Sequence, residues 1–162
     1  MVAWSADARY TALIERHGRS LMHLAILLTG NHADAEDVVQ DALIAVAESW
    51  TPAHPLSYLK KAVANKAIDT IRRRRDIPTA EMPETLIEER GFLRHEQDES
   101  FFALVRSLPE GQRSTLVLRY YADLDDRTIA SVLGISRATV RSQAMRGLDK
   151  LRELDLVREE QK

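Results

Sequence analysis

The segment Leu133–Arg152, LGISRATVRSQAMRGLDKLR, constrains this chain more than any other, because it reads as two helices meeting at a tight corner. Ile129, Ala130 and Leu133 space as one apolar side of a short helix. Gly134 suits the left-handed conformation that ends it, and Ser136 can accept a hydrogen bond from an orphan backbone N–H of the next helix. At about 100° per residue, Val140, Ala144, Leu148 and Leu151 then fall on one stripe, while Ala138, Arg141, Ser142 and Met145 fall well away from it. One side packs and the other stays free. This is a helix-turn-helix pattern, and a major groove admits such a helix. An Arg fork suits guanine O6 and N7, whereas Ser and small apolar groups suit other base edges. Arg137 and Arg146 are better placed for phosphates. The alternative is a packed helical hairpin with a solvated basic face.

The rest of the chain points to helices too. Its 162 residues suffice for one ordinary domain or two small helical ones, and only 6 Gly and 5 Pro interrupt an Ala-, Leu- and Arg-rich sequence with no strand-like period. The fold class expected is all-α. No apolar run approaches the length of a membrane span, and the N-terminal residues lack the apolar core of a signal peptide, so a cytoplasmic protein without membrane insertion is expected. Without cysteine there is no disulfide or thiolate metal site.

A net charge of −2 is unusual for a free-standing DNA binder, but the charges are segregated. Between Tyr58 and Arg75 seven basic residues face one acid, Asp69; between Asp76 and Ser100 eight acids face Arg90 and Arg94. The acidic segment offsets the basic one. Because phosphate contacts supply most non-specific affinity, a chain balanced in this way should bind DNA weakly alone and need a partner.

From the N-terminus, Ser5 is a candidate cap for a helix that carries Tyr10, Leu13, Ile14, Leu21, Leu24, Ala25 and Leu28 and stops at Gly30. Asn31 or Asp34 opens a second, in which Ala35, Val38, Val39, Ala42, Leu43 and Val46 form the stripe and Trp50 closes it. Gln40, Asp41 and Glu48 lie outside that stripe. Thr51 to Ser57, with two prolines, reads as a loop. Leu56, Leu59, Val63, Ala67 and Ile71 then mark a third helix ending in Arg72 to Arg75. Ile77 to about Gln97, with Pro78, Pro83 and dense acids, breaks the periodicity. Beyond it, Phe101, Leu104, Val105 and Leu108 suggest a short helix, Pro109 the first turn of another, and Leu116, Val117 and Tyr120 its apolar face. Three segments result: a helical domain over 1–76, an acidic flexible linker over 77–99, and a helix-turn-helix domain over 100–162.

These residues resemble the extracytoplasmic-function (group IV) sigma factors of bacterial RNA polymerase over nearly the whole chain. Asp34-Ala35-Glu36-Asp37-Val38-Val39-Gln40-Asp41 is similar to the family's DAED-x-x-Q-(E/D) helix, and Tyr58-Leu59, Asn65, Asp69 and Arg72 to its (W/Y)-L-x(5)-N-x(3)-D-x-x-R run. Leu108-Pro109, Arg113, Leu118-Arg119-Tyr120-Tyr121, Ile129-Ala130, Leu133-Gly134 and Thr139-Val140-Arg141-Ser142 resemble the domain that reads the upstream promoter element.

The resemblance implies a sigma factor that binds core RNA polymerase, through the clamp coiled coil of the largest subunit and the flap, and directs transcription from promoter DNA. Asp37, Gln40 and Asp41 would meet the clamp. Trp50, Tyr58, Lys60, Lys61, Asn65, Lys66, Arg72 and Arg73 would recognise and open the downstream element, with an unstacked base trapped near Trp50, Tyr58 and Asn65. Arg137, Thr139, Arg141, Ser142, Met145 and Arg146 would contact the upstream element. The acids from Glu81 to Glu99 would stand in for RNA in the polymerase channel, or form a plain tether. Trp50 as part of the core, and Asn65 as a helix contact, are the structural alternatives. An anti-sigma protein is a possible further partner; no catalytic residue and no cofactor are implied.

Thr128 stands where the family usually has Glu, and Ala138 where Gly is common, which bears on promoter specificity; the loop after Trp50 is shorter than in many relatives. Two other functions remain open from the residues themselves. One is a dimeric helix-turn-helix regulator of a palindromic operator. The other is a metal enzyme, with His17, His23, His32, His54 and His95 and the cluster Asp34, Glu36, Asp37 and Asp41 as its ligands, although no H-E-x-x-H or phosphate-binding glycine loop accompanies them.

Overall fold

Apolar residues recurring every three to four positions give the chain its helices, and the computed structural model describes residues 8–48, 55–76 and 103–160, apart from the side chains of 156–159. Ser5, Trp50, Phe101 and the acidic linker lie outside the described residues. Helix α1 spans Ala8–Thr29, α2 His32–Glu48 and α3 Pro55–Arg75. After one helical turn at residues 103–106, α4 spans Glu110–Leu116 and runs on as a π-helical turn, Val117–Tyr121. Helix α5 spans Asp126–Leu133 and α6 Arg137–Glu160. There is no strand among the described residues, so the all-α expectation holds.

Helices α1 to α3 form a three-helix bundle around Leu21, Leu24, Leu28, Val38, Ala42, Leu59, Val63 and Ala67, all buried. Each fully buried leucine contributes about 1.5–3 kcal/mol relative to exposure. The α1–α2 corner is built locally. Gly30 takes φ +85°, and its N–H donates to the Ile26 carbonyl at 2.8 Å. Asn31, rather than Asp34, caps α2. Its Oδ1 accepts from the Asp34 N–H at 2.8 Å while its Nδ2 donates to Asp34 Oδ2 at 2.7 Å. The Tyr10 hydroxyl donates to the Leu43 carbonyl at 2.6 Å and ties α1 to α2, and burial pushes its phenol above the ordinary range.

Three expectations are corrected. Helix α3 starts at Pro55, so Pro55 to Ser57 are its first turn and not loop: a proline at that place has φ preset for the helix and loses no hydrogen bond. Tyr120 is exposed instead of continuing the apolar face. The π-helical turn inserts an extra residue, closed by the Ala122 N–H on the Val117 carbonyl at 3.0 Å, so that Leu116, Val117 and Leu118 are buried in succession and Tyr120 is turned outward. Pro109 stands immediately before α4, not in its first turn.

The C-terminal half packs α4 and α5 against α6. It also packs against the bundle: α3 meets α5, and α1 meets both the π-helical turn and α4. Val105, Val117, Leu118, Ile129, Val132 and Val140 share one apolar cluster with the bundle core, while Leu108, Leu116 and Ala144 form a smaller one with Leu148 and Leu151.

Candidate nucleic-acid interface

The helix-turn-helix has the geometry read from its residues. Gly134 ends α5 in the left-handed conformation at φ 66° and ψ 36°. The Ser136 hydroxyl accepts from the Thr139 N–H at 3.1 Å and lies 2.9 Å from the Thr139 hydroxyl, which caps α6. Val140 and Ala144 seat the helix. Gly147 continues that seam, since a Cβ there would approach Leu116 Cδ1 to 2.8 Å, so a side chain at 147 would require Leu116 to shift.

The opposite side is open. Arg137, Arg141, Met145 and Arg146 are exposed, Met145 to 66%, whereas Thr139 and Ser142 are half-buried. Four of the six upstream candidates are therefore exposed, and Thr139 is engaged in the cap. An exposed Met between arginines is chemically suited to a thymine methyl, and the arginines to base edges and phosphates.

Behind this face lies a polar cluster that the sequence reading did not single out. Asp125 caps α5, its carboxylate accepting from the Thr128 N–H at 2.7 Å. That bond, the Thr128 hydroxyl, and the nearby Arg127 and Arg137 hold its carboxyl below the usual range. Asp126 follows in the first turn, where the helix dipole favours an acid. Arg119 Nη2 donates to both its oxygens at 2.7 and 2.9 Å, and Arg141 Nε lies 3.7 Å from Oδ2. Arg119 belongs to the π-helical turn. The pairing depends on the reversal at Asp123, with φ 53°, which no helical period signals.

On α3, Tyr58, Lys61, Asn65 and Arg72 are exposed at spacings of three, four and seven residues and so share one stripe, opposite Leu59, Val63 and Ala67. Asp69 lies on the same stripe. Lys60 and Lys66 are half-buried, Lys60 at the rim of a 360 Å³ cavity shared with His17, Ser20 and Tyr121. The Arg72 to Arg75 run divides. Arg72 Nη2 donates to the Leu133 carbonyl at 2.9 Å, an orphan acceptor at the end of α5, and lies against Gly134. Arg73 is exposed. Arg74 donates to the Thr29 carbonyl at 2.8 Å and pairs with Asp34, and burial lowers its pKa. Arg75 pairs with Glu110 of α4.

On α2, Asp37, Gln40 and Asp41 are all exposed, and Ile44 joins them at 61% exposure. Sequence reasoning passed over Ile44; its signal is an apolar residue seven positions after Asp37, on the acidic side of the helix. Among the described residues no group of three His, Asp or Glu side chains is arranged to hold a metal, and no helix is long and apolar enough to cross a membrane.

Two family patterns match in order: sigma-70 region 2 over residues 13–77 and sigma-70 region 4 over residues 98–151. The chain is 31% identical to the ECF RNA polymerase sigma factor SigM of Mycobacterium tuberculosis, covering 95% of this chain and 82% of that protein. It is 27% identical to the RNA polymerase sigma factor SigV of Bacillus subtilis, covering 96% of each. In fold it resembles the sigma factor RpoE of Bartonella quintana, solved in complex with the anti-sigma factor NepR, with a TM-score of 0.62 and 24% identity over 91% of this chain and 97% of that one. A helix-turn-helix with an open cationic face, preceded by a three-helix bundle with an acidic face, is thus matched by both regions and by relatives over nearly its full length: the chain belongs to the ECF family of RNA polymerase sigma factors.

Proposed function

We propose that this chain is an alternative sigma factor that lends promoter recognition and strand opening to core RNA polymerase and itself makes or breaks no covalent bond. Residues 1–76 would bind the polymerase clamp through Asp37, Gln40, Asp41 and Ile44 and contact the downstream element through Tyr58, Lys60, Lys61, Asn65, Lys66, Arg72 and Arg73. Residues 77–99 would link the domains, and residues 100–162 would read the upstream element with Arg137, Thr139, Arg141, Ser142, Met145 and Arg146. The setting would be the cytoplasm, with an anti-sigma protein as a candidate regulator. A free-standing operator-binding dimer is the less favoured reading, because matches to both sigma regions lie on this chain in order.

The observation that carries the reading is α6 itself: Arg137, Arg141, Met145 and Arg146 are exposed while Val140 and Ala144 are buried against the rest of the protein. Transcription by core polymerase on a promoter library, with and without the chain, tests it. The chain should select a narrow set of start sites, and an unchanged start-site profile refutes the reading. In the same reconstitution, the pair Gln40→Lys and Asp41→Lys should abolish co-elution with core polymerase while leaving helical content intact. Retained co-elution removes the clamp assignment.

A further inference from the structure

We infer that Asp126 is a positioning residue for upstream-element readout: anchored by Arg119, it orients the Arg141 guanidinium toward the duplex. The inference rests on the reading of Arg141 as a base contact and adds the residues that aim it.

Asp126 is held on one side and offers its charge on the other. Arg119 Nη2 donates to both carboxylate oxygens at 2.7 and 2.9 Å, and both side chains are about one-quarter exposed. Charge-assisted bonds in such partial shelter persist better than those in open water. The carboxylate therefore has a fixed position, set by the π-helical turn and by the start of α5. Arg141, by contrast, is 65% exposed and rises from α6 with three rotatable bonds before its Nε. Its ion-pair partner is Asp126, whose Oδ2 lies 3.7 Å from that Nε.

The atom involved gives the contact its consequence. A carboxylate on the Nε side of a guanidinium leaves the outer edge between its two Nη groups free, and that edge forms a fork able to bind a base edge bidentately. An arginine without that attraction samples more rotamers, loses more entropy on docking, and reaches neighbouring phosphates as readily as a base. The carboxylate also adds negative charge behind the interface, which disfavours DNA of any sequence. Asp126 should therefore raise discrimination and lower indiscriminate affinity. An acid that merely stabilised the fold would not move those two quantities in opposite directions.

The test uses the full chain reconstituted with core polymerase on promoters with matched or scrambled upstream elements. Asp126→Asn should lower the matched-to-scrambled ratio of open complexes roughly threefold to tenfold, part of what the guanidinium itself contributes at a base pair. Occupancy on scrambled elements should rise. Asp126→Glu, which keeps the charge, should recover part of the ratio. In an Arg141→Ala background, Asp126→Asn should leave the ratio where Arg141→Ala alone puts it. If Arg141→Ala lowers the ratio and Asp126→Asn does not, the inference fails while the Arg141 reading stands. An equal loss with and without Arg141 also overturns it, since Asp126 would then act through the fold. If Arg141→Ala has no effect, the base-contact reading fails first and takes the inference with it.

Discussion

The two cationic surfaces of this chain are built from similar residues and are held in different states. On α6, Arg137, Arg141 and Arg146 are exposed above a buried seam; at the end of α3, three of four consecutive arginines make contacts within the protein. A helix turns about 100° per residue, so four adjacent arginines face four directions and only some can face DNA. Arg74 faces the α1–α2 corner, Arg72 and Arg75 are exposed but bonded to the C-terminal half, and Arg73 is exposed as well. On α6, Arg137 and Arg141 lie four positions apart and so within about 40° of each other around the helix, whereas Arg146, five positions further on, lies about 140° round from Arg141; all three are exposed. A run of like charges thus says less about a nucleic-acid surface than the exposure and the partners of each side chain in it.

The largest test of this contrast is Arg141→Ala. It should cost about 1–3 kcal/mol of discrimination at one base pair of the upstream element, read as the ratio of open complexes on matched and substituted promoters. Equal losses on both promoters would remove α6 from sequence readout and with it half of the comparison.

Arg74→Ala tests the other half. Loss of the partly sheltered pair with Asp34 and of the bond to the Thr29 carbonyl should lower stability by about 1–2 kcal/mol, less than for a fully buried pair because solvent still reaches both partners. Chemical denaturation measures this. The salt dependence of promoter binding should stay as it is, since Arg74 is turned inward; a shallower dependence would count it among the phosphate contacts.

Arg146→Ala sharpens the contrast with a smaller effect. It should weaken binding to matched and scrambled elements alike and reduce the slope of log affinity against log salt by about one, as expected for one lost phosphate contact. Arg73→Ala serves as the matching probe on α3. A comparable change in slope there would mean that the outward member of the run acts as the α6 arginines do.

What was legible in the sequence follows the same physics. Buried stripes repeat at the helical period, so Val38, Val39, Ala42, Leu59, Val63, Val140 and Ala144 could be assigned to the core residue by residue. Local chemistry was legible as well: the turn at Gly134 and the cap at Ser136 depend only on neighbours in the chain. The π-helical turn was not, because one inserted residue rotates everything after it and leaves no compositional mark, and so Tyr120 was assigned to the wrong side. Nor was the Arg119, Asp126 and Arg141 cluster, which joins three elements across a reversal at Asp123. Contacts between the halves, such as Arg72 with the Leu133 carbonyl, bridge 61 residues and have no local signal at all.

The smallest effect comes from the cap of α5, on the side of the comparison that faces DNA. The Thr128 N–H, its hydroxyl, and the adjacent Arg127 and Arg137 all favour the charged form of Asp125, so its folded pKa lies below its unfolded value of about 3.9. Such a group adds stability that is fully present above the unfolded pKa and is lost as pH falls through the folded one. Asn in the same place also caps a helix but does not ionise. The melting temperatures of the native chain and Asp125→Asn should therefore keep a constant separation from neutrality down to about pH 5 and converge below about pH 4. Charge here also acts on the recognition helix, because Arg137 is one of the groups that the carboxylate faces. A separation that stays constant through pH 3 would mean that the cap works as a neutral acceptor, and that the acids behind α6 do not share in its electrostatics.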